Sequence, residues 1–128
     1  MEKLVNGIHH VSMKCCGQAE FEKTLKFYSE VLGIPVLRSW AGGAMLDTGS
    51  GIIELFPDAK EPKDAGVIRH FAFAVSDVDA CAKAVKAAGY DLYVEPKDVV
   101  IPSDPAFPIR IAFCKGPLGE DIEFFQER

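Results

Sequence analysis

An internal repeat constrains the fold of this 128-residue chain more than any other feature, because both halves spell the same order of elements. The order predicted in each half is strand, helix, strand, strand, strand. In the first half these elements are predicted at residues 7–15, 18–33, 34–40, 44–48 and 52–56. In the second half they are predicted at residues 67–75, 77–88, 90–95, 109–114 and 122–126. Either half alone leaves one sheet face uncovered until the other half joins it, so the repeat predicts an architecture of two modules with the same topology.

Two segments fall outside the repeated pattern. Pro57 to Gly66 is polar and contains proline and glycine, which is typical of a linker. Pro96 to Pro108 is punctuated by prolines, has no counterpart in the first half and is predicted to be a loop. The length suits one domain, so we expect residues 1–128 to form a single domain of two repeats, at about 7–56 and 67–127.

Composition and charge exclude several classes of function. The net charge is −5 and no dense run of Lys or Arg is present, which argues against a nucleic-acid partner. The apolar runs are too short to span a bilayer, and the N-terminus lacks the apolar region of a secretory signal, so we expect no membrane partner and a cytoplasmic location. Cys15, Cys16, Cys81 and Cys114 show no CxxC spacing, which favours reduced thiols over a zinc thiolate site.

The leading strand of each half carries a histidine on its less bulky face. Strand alternation places His10 on the same face as Ser12, opposite the apolar residues that should pack under the helix. By the same rule His70 shares a face with two small alanines. A face with room above it is what a ligand cavity needs. The neighbouring His9 is expected on the opposite face, at the sheet edge or in solvent, with no share in the role of His10.

The last strand of each half carries a matching glutamate. Glu54 in "GIIELF" and Glu123 in "GEDIEFF" lie between bulky residues that should face the helices, which leaves the carboxylates on the open face. A carboxylate in an apolar strand is costly to bury unless a cation meets it. His10, Glu54, His70 and Glu123 therefore predict a site for one divalent metal, Zn²⁺, Ni²⁺, Co²⁺, Fe²⁺ or Mn²⁺. The alternative is that the four residues form ordinary ion pairs.

The strands that carry these histidines and glutamates, and four longer motifs around them, resemble those of the vicinal oxygen chelate superfamily. This superfamily includes glyoxalase I, methylmalonyl-CoA epimerase, extradiol dioxygenases and the fosfomycin and bleomycin resistance proteins. "HHVSMK" and "RHFAFAVSDVDA" are similar to its two leading strands, "TLKFYSEVLGIPVLR" to its first helix and following strand, and "GPLGEDIEFF" to its closing turn and strand. The resemblance implies an α+β fold in which two βαβββ modules form a cupped mixed sheet around a metal. It also implies that His10, Glu54, His70 and Glu123 occupy the ligand positions, and that the chain forms a homodimer whose metal lies within one chain or is shared by two.

Two histidines with two glutamates are most similar to glyoxalase I and to the epimerase. The resemblance thus implies a metal-dependent lyase or isomerase that moves a proton on a small carbon acid, such as a hemithioacetal. By analogy with glyoxalase I, Glu123 is the first choice for the base and Glu54 is its counterpart across the metal. Three alternatives stay open, namely an epimerase-like isomerase, an iron-dependent oxygenase and a binding protein without turnover.

Side chains that could recognise the rest of a substrate are less well determined by the sequence. Arg38, Arg69 and Arg110 are candidates for holding a substrate carboxylate, with solvated surface charge as the alternative. Five apolar residues could line the cavity, although aromatic residues in strands are commonly plain core. They are Trp40, Met45, Phe56, Phe107 and Phe125.

Overall fold

The computed structural model describes residues 8–61 and 70–128 of the chain. The chain divides into two compact units, Met1–Pro62 and Lys63–Arg128. Three predicted features lie outside the described part of the chain. They are the start of the first strand at Gly7, the end of the linker, and the start of the second repeat at residues 67–69, which includes Arg69. Within the described part, no helix is both long and apolar enough to cross a membrane.

The first unit is a four-stranded mixed sheet with one helix. Its elements are β1 (His10–Lys14), α1 (Gln18–Lys26), β2 (Val36–Trp40), β3 (Gly43–Asp47) and β4 (Ile52–Phe56). The strand order is β1-β4-β3-β2, in which β1 and β4 are parallel and the other pairs are antiparallel. The predicted helix over residues 18–33 is shorter as an α-helix, because the backbone widens into a π-helical turn at Phe27–Val31.

The second unit repeats this topology. Its elements are β5 (Phe71–Ala74), α2 (Val78–Ala87), β6 (Val94–Ile101), β7 (Phe107–Lys115) and β8 (Asp121–Glu127). The order β5-β8-β7-β6, with β5 and β8 parallel, matches the first unit strand for strand. The Asp77 carboxylate caps α2 by accepting a hydrogen bond from the Ala80 N–H, and Gly89 ends the helix with φ +87°, both as predicted.

Alternation along the strands separates a buried face from an open face in each unit. In β4, Ile53 and Leu55 are buried while Ile52 and Phe56 are half-buried. In β8, Ile122 and Phe124 are buried. Burying one such side chain stabilises the fold by about 1.5–3 kcal/mol, which fixes the register because a one-residue slip would expose the whole set. The glutamates therefore point away from the apolar side of their sheets.

One predicted loop is largely strand. The prolines predict a loop over residues 96–108, but β6 runs through Pro96 and β7 already includes Pro108, so the loop spans only residues 102–106. The predicted strand at residues 90–95 is correspondingly displaced, since β6 begins at Val94. Proline is tolerated because β6 is an edge strand and its pairing with β7 shifts register between Val94 and Lys97.

The two βαβββ modules expected from the resemblance are confirmed, each as a four-stranded mixed sheet with its helix. In both units the leading strand lies beside the last strand, and this parallel pairing is what positions the candidate site residues.

Candidate metal centre

The first candidate pair lies at the junction of β1 and β4. His10 is the first residue of β1, and Glu54 is the central residue of β4, directly opposite Ser12. The His10 Nε2 atom lies 3.6 Å from Glu54 Oε1. The His10 side chain is 40% exposed and that of Glu54 only 11%, so the imidazole forms the outer and the carboxylate the inner part of the pair.

The second candidate pair repeats this arrangement at β5 and β8. His70 immediately precedes β5, and Glu123 lies in β8 opposite Ala72. The His70 Nε2 atom is 3.2 Å from Glu123 Oε1, with 31% and 11% of the two side chains exposed. Burial raises the pKa of the Glu123 carboxyl, and the nearby His70 offsets part of this rise.

Each pair has a geometry that suits two ligands of one metal ion. Ligand atoms about 2.1 Å from a metal are about 3.0 Å apart when they are octahedral neighbours and about 3.4 Å apart when tetrahedral. The separations of 3.6 Å and 3.2 Å need only small side-chain adjustments to meet these values. Imidazole nitrogen and carboxylate oxygen together suit a divalent transition metal, so the residues of each pair fit the kind of ion that the resemblance implies.

The structure brings the four predicted ligands together as two pairs. His10 meets Glu54 in the first unit and His70 meets Glu123 in the second. Across residues 8–61 and 70–128, no group of three or more His, Cys, Asp or Glu side chains is arranged to hold a metal. A single ion bound by all four residues therefore stays a prediction.

His9 is the residue whose position the sequence reasoning misjudged. Its Nδ1 atom lies 2.9 Å from Nδ1 of His10, and the two rings are nearly perpendicular, with centroids 5.2 Å apart. The expectation that the two side chains point away from each other is therefore wrong, whereas His9 is exposed as expected. Strand alternation was applied to a residue that precedes the strand, since β1 begins at His10. The signal available in the sequence was the His-His dipeptide itself.

The open face around Glu54 carries a sulfur, a guanidinium and an aromatic pair. Met45 lies directly opposite Glu54, and Arg38 lies opposite Met45 with its Nη1 atom 3.4 Å from the sulfur. One row further along, Trp40 pairs with Gly43, and the Trp40 ring meets the Phe56 ring edge-on at 6.2 Å. A Cβ on Gly43 would approach the Trp40 and Phe56 rings to about 3 Å, so only glycine leaves the indole in this place.

The open face around Glu123 differs in its charges. Phe113 lies opposite Glu123 and meets the His70 ring edge-on at 5.2 Å. Two residues before Glu123, the Asp121 carboxylate accepts a hydrogen bond from the Tyr93 hydroxyl at 2.8 Å and pairs with Lys115 at 2.6 Å. The Lys115 ammonium also lies 5.4 Å from the centre of the Tyr93 ring. Burial and the Asp121 contact raise the pKa of Tyr93 to about 12.

The arginine candidates divide after this placement. Arg38 lies on the same sheet face as Glu54 and is exposed, so it stays a candidate for a substrate anion. Arg110 does not, because its guanidinium binds Asp79 of α2 at 2.8 Å and Asp98 at 3.2 Å on the helix side of its sheet. Arg69 lies outside the described residues. The expectation that Arg110 is available to a substrate is therefore wrong.

The predicted apolar lining and the thiols are also placed. Trp40, Met45 and Phe56 share the open face of the first sheet, and Phe125 packs against Phe107 at 6.0 Å in the second unit. The four cysteines all lie in the described residues and none forms a disulfide, and Cys15 and Cys114 are buried. Burial raises the pKa of the Cys114 thiol to about 12, which leaves it protonated and unreactive near neutral pH.

Comparison with known proteins gives consistent matches over nearly the whole chain. The family model described as Glyoxalase/Bleomycin resistance protein/Dioxygenase superfamily matches residues 7–124. A probable lactoylglutathione lyase of Vibrio parahaemolyticus is 31% identical over 85% of this chain and 84% of its own length. The uncharacterized protein YaeR of Escherichia coli is 26% identical over 94% of this chain and 95% of its own.

Among solved structures, the crystal structure of a putative glyoxalase family protein from Bacillus anthracis superposes with a TM-score of 0.73. The sequence identity is 21%, and all of both chains is covered. A likeness at this identity concerns the fold, and it agrees with the two modules described above.

Proposed function

Because the chain belongs to the Glyoxalase/Bleomycin resistance protein/Dioxygenase superfamily, we propose that it is a metal-dependent lyase or isomerase of the glyoxalase I type. Its substrate class is a small carbon acid with two adjacent oxygens, such as the hemithioacetal of a 2-oxoaldehyde and a thiol. It acts as a cytoplasmic homodimer. Each divalent ion is held by four ligands, His10, Glu54, His70 and Glu123, which belong either to one chain or to two chains of the dimer.

The repeated His–Glu pair is the observation that carries this proposal. Both units place an imidazole Nε2 within 3.6 Å of a carboxylate oxygen, on the face of the sheet that the helix does not cover. Ordinary ion pairs would not have to recur at equivalent positions of two modules whose other residues differ. The 31% identity to a probable lactoylglutathione lyase supports the same reaction class.

The reaction needs a Lewis acid that polarises the substrate oxygens and a base that removes a proton from carbon. A divalent ion held by these residues would supply Lewis-acid chemistry to the two substrate oxygens, which would acidify the C–H bond of the carbon that bears sulfur. A Glu123 carboxylate oxygen removes the proton from the carbon that bears sulfur and returns it to the neighbouring carbon, while the hydroxyl proton passes from the oxygen of the first carbon to the oxygen of the second. The hemithioacetal thereby becomes its isomer, a 2-hydroxy thioester, without an external oxidant or reductant.

Glu123 suits the role of base better than Glu54. Its carboxylate is held 3.2 Å from His70 and lies beside the Phe113 ring, which limits access of water. Glu54 has the open neighbours Ser12 and Met45 and a more exposed histidine. We assign Glu54 the role of counterpart ligand. Arg38, on the same face as Glu54, is placed to meet an anionic group of the thiol portion.

The test is metal-resolved activity of the purified 128-residue chain. Samples loaded separately with Ni²⁺, Zn²⁺, Co²⁺, Mn²⁺ and Fe²⁺ are mixed with methylglyoxal and one of several thiols, and thioester formation is followed by absorbance. We expect one metal to support turnover with at least one thiol, and metal-stripped protein to be inactive. In the same assay the Glu123→Gln variant should lose activity, and Glu22→Gln, on the exposed surface of α1, is its matched control because it changes the same functional group away from the site.

Other outcomes would replace the proposal. Oxygen consumption with Fe²⁺ alone would indicate an oxygenase of the same fold. Epimerisation of an acyl-CoA thioester without any thiol requirement would indicate the epimerase-like reaction. Protein that takes up no metal at all would indicate a binding protein without turnover.

A further inference from the structure

The proposed metal ligation and proton transfer do not by themselves account for the contact between His9 and His10. The two Nδ1 atoms are 2.9 Å apart, a normal hydrogen-bond distance, and the rings meet edge to face. We infer that His9 is a positioning residue whose Nδ1 accepts the Nδ1–H of His10 and so leaves the His10 Nε2 lone pair free beside Glu54. This inference rests on the proposed function, since it concerns how His10 is prepared to bind the metal.

The argument starts from the protons of neutral imidazole. Each neutral ring carries one N–H, so an Nδ1–Nδ1 hydrogen bond requires one ring to donate and the other to accept. If His10 donates, its Nε2 is the unprotonated nitrogen that a metal needs. If His9 donates, His10 carries its proton on Nε2 and cannot bind a metal through that atom without first exchanging it.

The surroundings of Nε2 favour the first arrangement. The Glu54 Oε1 atom is 3.6 Å away, which is too far for a hydrogen bond that would keep the proton on Nε2. The Nδ1 atom has a partner at 2.9 Å. Metal-binding histidines commonly use the nitrogen away from the metal to donate a hydrogen bond, which fixes both tautomer and ring orientation.

His70 provides an internal contrast. Its Nε2 atom lies 3.2 Å from Glu123 Oε1, within hydrogen-bond distance, and its ring is contacted by the Phe113 edge instead of a second imidazole. A neutral His70 therefore keeps its proton on Nε2 until a metal replaces it. His10 is prepared for the metal before binding and His70 is not, so a substitution at His9 should affect only His10.

The first measurement reads the tautomers directly in metal-free protein. Long-range ¹H–¹⁵N correlation spectra distinguish the ring nitrogen that carries the proton from the one that does not. Wild type is expected to show His10 with its proton on Nδ1. His9→Phe keeps a ring but removes the acceptor, and should move the proton of His10 toward Nε2. His9→Asn supplies an acceptor oxygen and should restore the wild-type pattern, while His70 stays unchanged in all three proteins.

The second measurement is metal affinity by titration calorimetry with Ni²⁺ and Zn²⁺. Loss of the group that accepts the hydrogen bond from a metal-binding histidine costs about 10–100-fold in metal affinity. The His9→Phe variant should therefore bind metal more weakly by that factor. The His9→Asn variant should bind metal within a few-fold of wild type. His9 is exposed and precedes β1, so unchanged circular dichroism and thermal unfolding are expected and would exclude misfolding as the cause.

The outcomes separate this inference from the proposed function. His10 protonated on Nε2 in wild type, or a tautomer that does not respond to His9→Phe, overturns the inference even if the metal binds. Equal metal affinity of His9→Phe and wild type overturns it as well. If no metal binds to wild type, the proposed function fails, and the spectra alone then decide whether His9 sets the tautomer of His10.

Discussion

The two modules place the same donor pair in the same strand positions but surround it with different side chains. Glu54 and Glu123 each lie opposite a small residue of the parallel leading strand, Ser12 in one unit and Ala72 in the other. On the other side, Glu54 faces Met45 and Glu123 faces Phe113. Two residues before the glutamate, the last strand of the first module has Ile52, which lies opposite Asp47. At the same position the second module has Asp121, which lies opposite Lys115 and forms an ion pair with it.

This difference separates what the backbone determines from what the side chains determine. Strand register alone brings each imidazole to its carboxylate, so the pair recurs wherever the topology recurs. The neighbours set the properties of each pair. The first has a second imidazole and a more exposed histidine, whereas the second has an aromatic ring and a carboxyl whose pKa burial raises. We therefore expect the two His–Glu pairs to be similar as metal ligands, but only one of the two glutamates to be an efficient base.

The largest expected effect tests that division between the glutamates. Glu123→Gln removes the proposed base and should lower kcat by about 10²–10⁴-fold at saturating metal, because general base catalysis contributes this much. Glu54→Gln should lower kcat clearly less once metal is saturating. Steady-state kinetics of both variants provide the measurement. Equal losses would mean that the modules are not specialised, and a larger loss for Glu54→Gln would exchange their roles.

Metal stabilisation tests whether both modules contribute ligands. With free metal at about 100 times its dissociation constant, a bound ion should raise the free energy of unfolding of the wild type by about 2.7 kcal/mol. The double variants His10→Ala/Glu54→Ala and His70→Ala/Glu123→Ala should each lose this gain, which is measured by thermal unfolding with and without metal. If one double variant keeps the full gain, the other module holds the ion alone.

The helices of the two modules differ at their first turns. The Asp77 side chain caps α2, whereas the N-cap residue of α1 is Gly17, which makes no side-chain cap hydrogen bond. Asp77→Ala should therefore destabilise the protein by about 1 kcal/mol through the lost hydrogen bond to the Ala80 N–H. Gln18→Ala, at the start of α1, is the matched substitution and should cost less. Urea unfolding measures both, and equal costs would show that the Asp77 cap contributes nothing special.

The smallest effect concerns the ion pair that ties α2 to its sheet. The hydrogen bond from Arg110 holds the pKa of the Asp79 carboxyl below its ordinary value. A lowered folded-state pKa stabilises the protein above the unfolded pKa of about 3.9, and this contribution is lost as pH falls through the folded value. Wild type should thus be slightly more stable than Asp79→Asn at pH near 7, with the gap closing below about pH 4. Urea midpoints across pH measure the gap, and a gap that does not change would contradict this account.

The sequence was sufficient to predict the parts of the fold that depend on periodicity. Alternation in β4 and β8 identified the buried and open faces, and the Asp77 cap and Gly89 end of α2 follow from local hydrogen bonding and backbone conformation. The matching positions of Glu54 and Glu123 likewise follow from the repeat, so periodicity alone assigns both glutamates to the open faces where they meet the histidines.

The errors arise where tertiary context overrides local signals. Pro96 indicated a loop, but an edge strand with a shifted register accommodates it. Arg110 gave no local sign that Asp79 and Asp98, distant in sequence, would bind it. His9 was misjudged because one residue decides whether it obeys strand alternation. Whether the two pairs share an ion depends on the placement of the two units, which no local pattern specifies.

The close packing of the indole over Gly43 has a practical consequence for studying this protein. Trp40 is the only tryptophan in the chain, and it lies on the sheet face that carries Glu54. The tryptophan fluorescence of the chain therefore originates from one residue, on the sheet face of a candidate ligand. Arrival of a paramagnetic ion or of a light-absorbing substrate there can be followed by quenching, without attaching any dye.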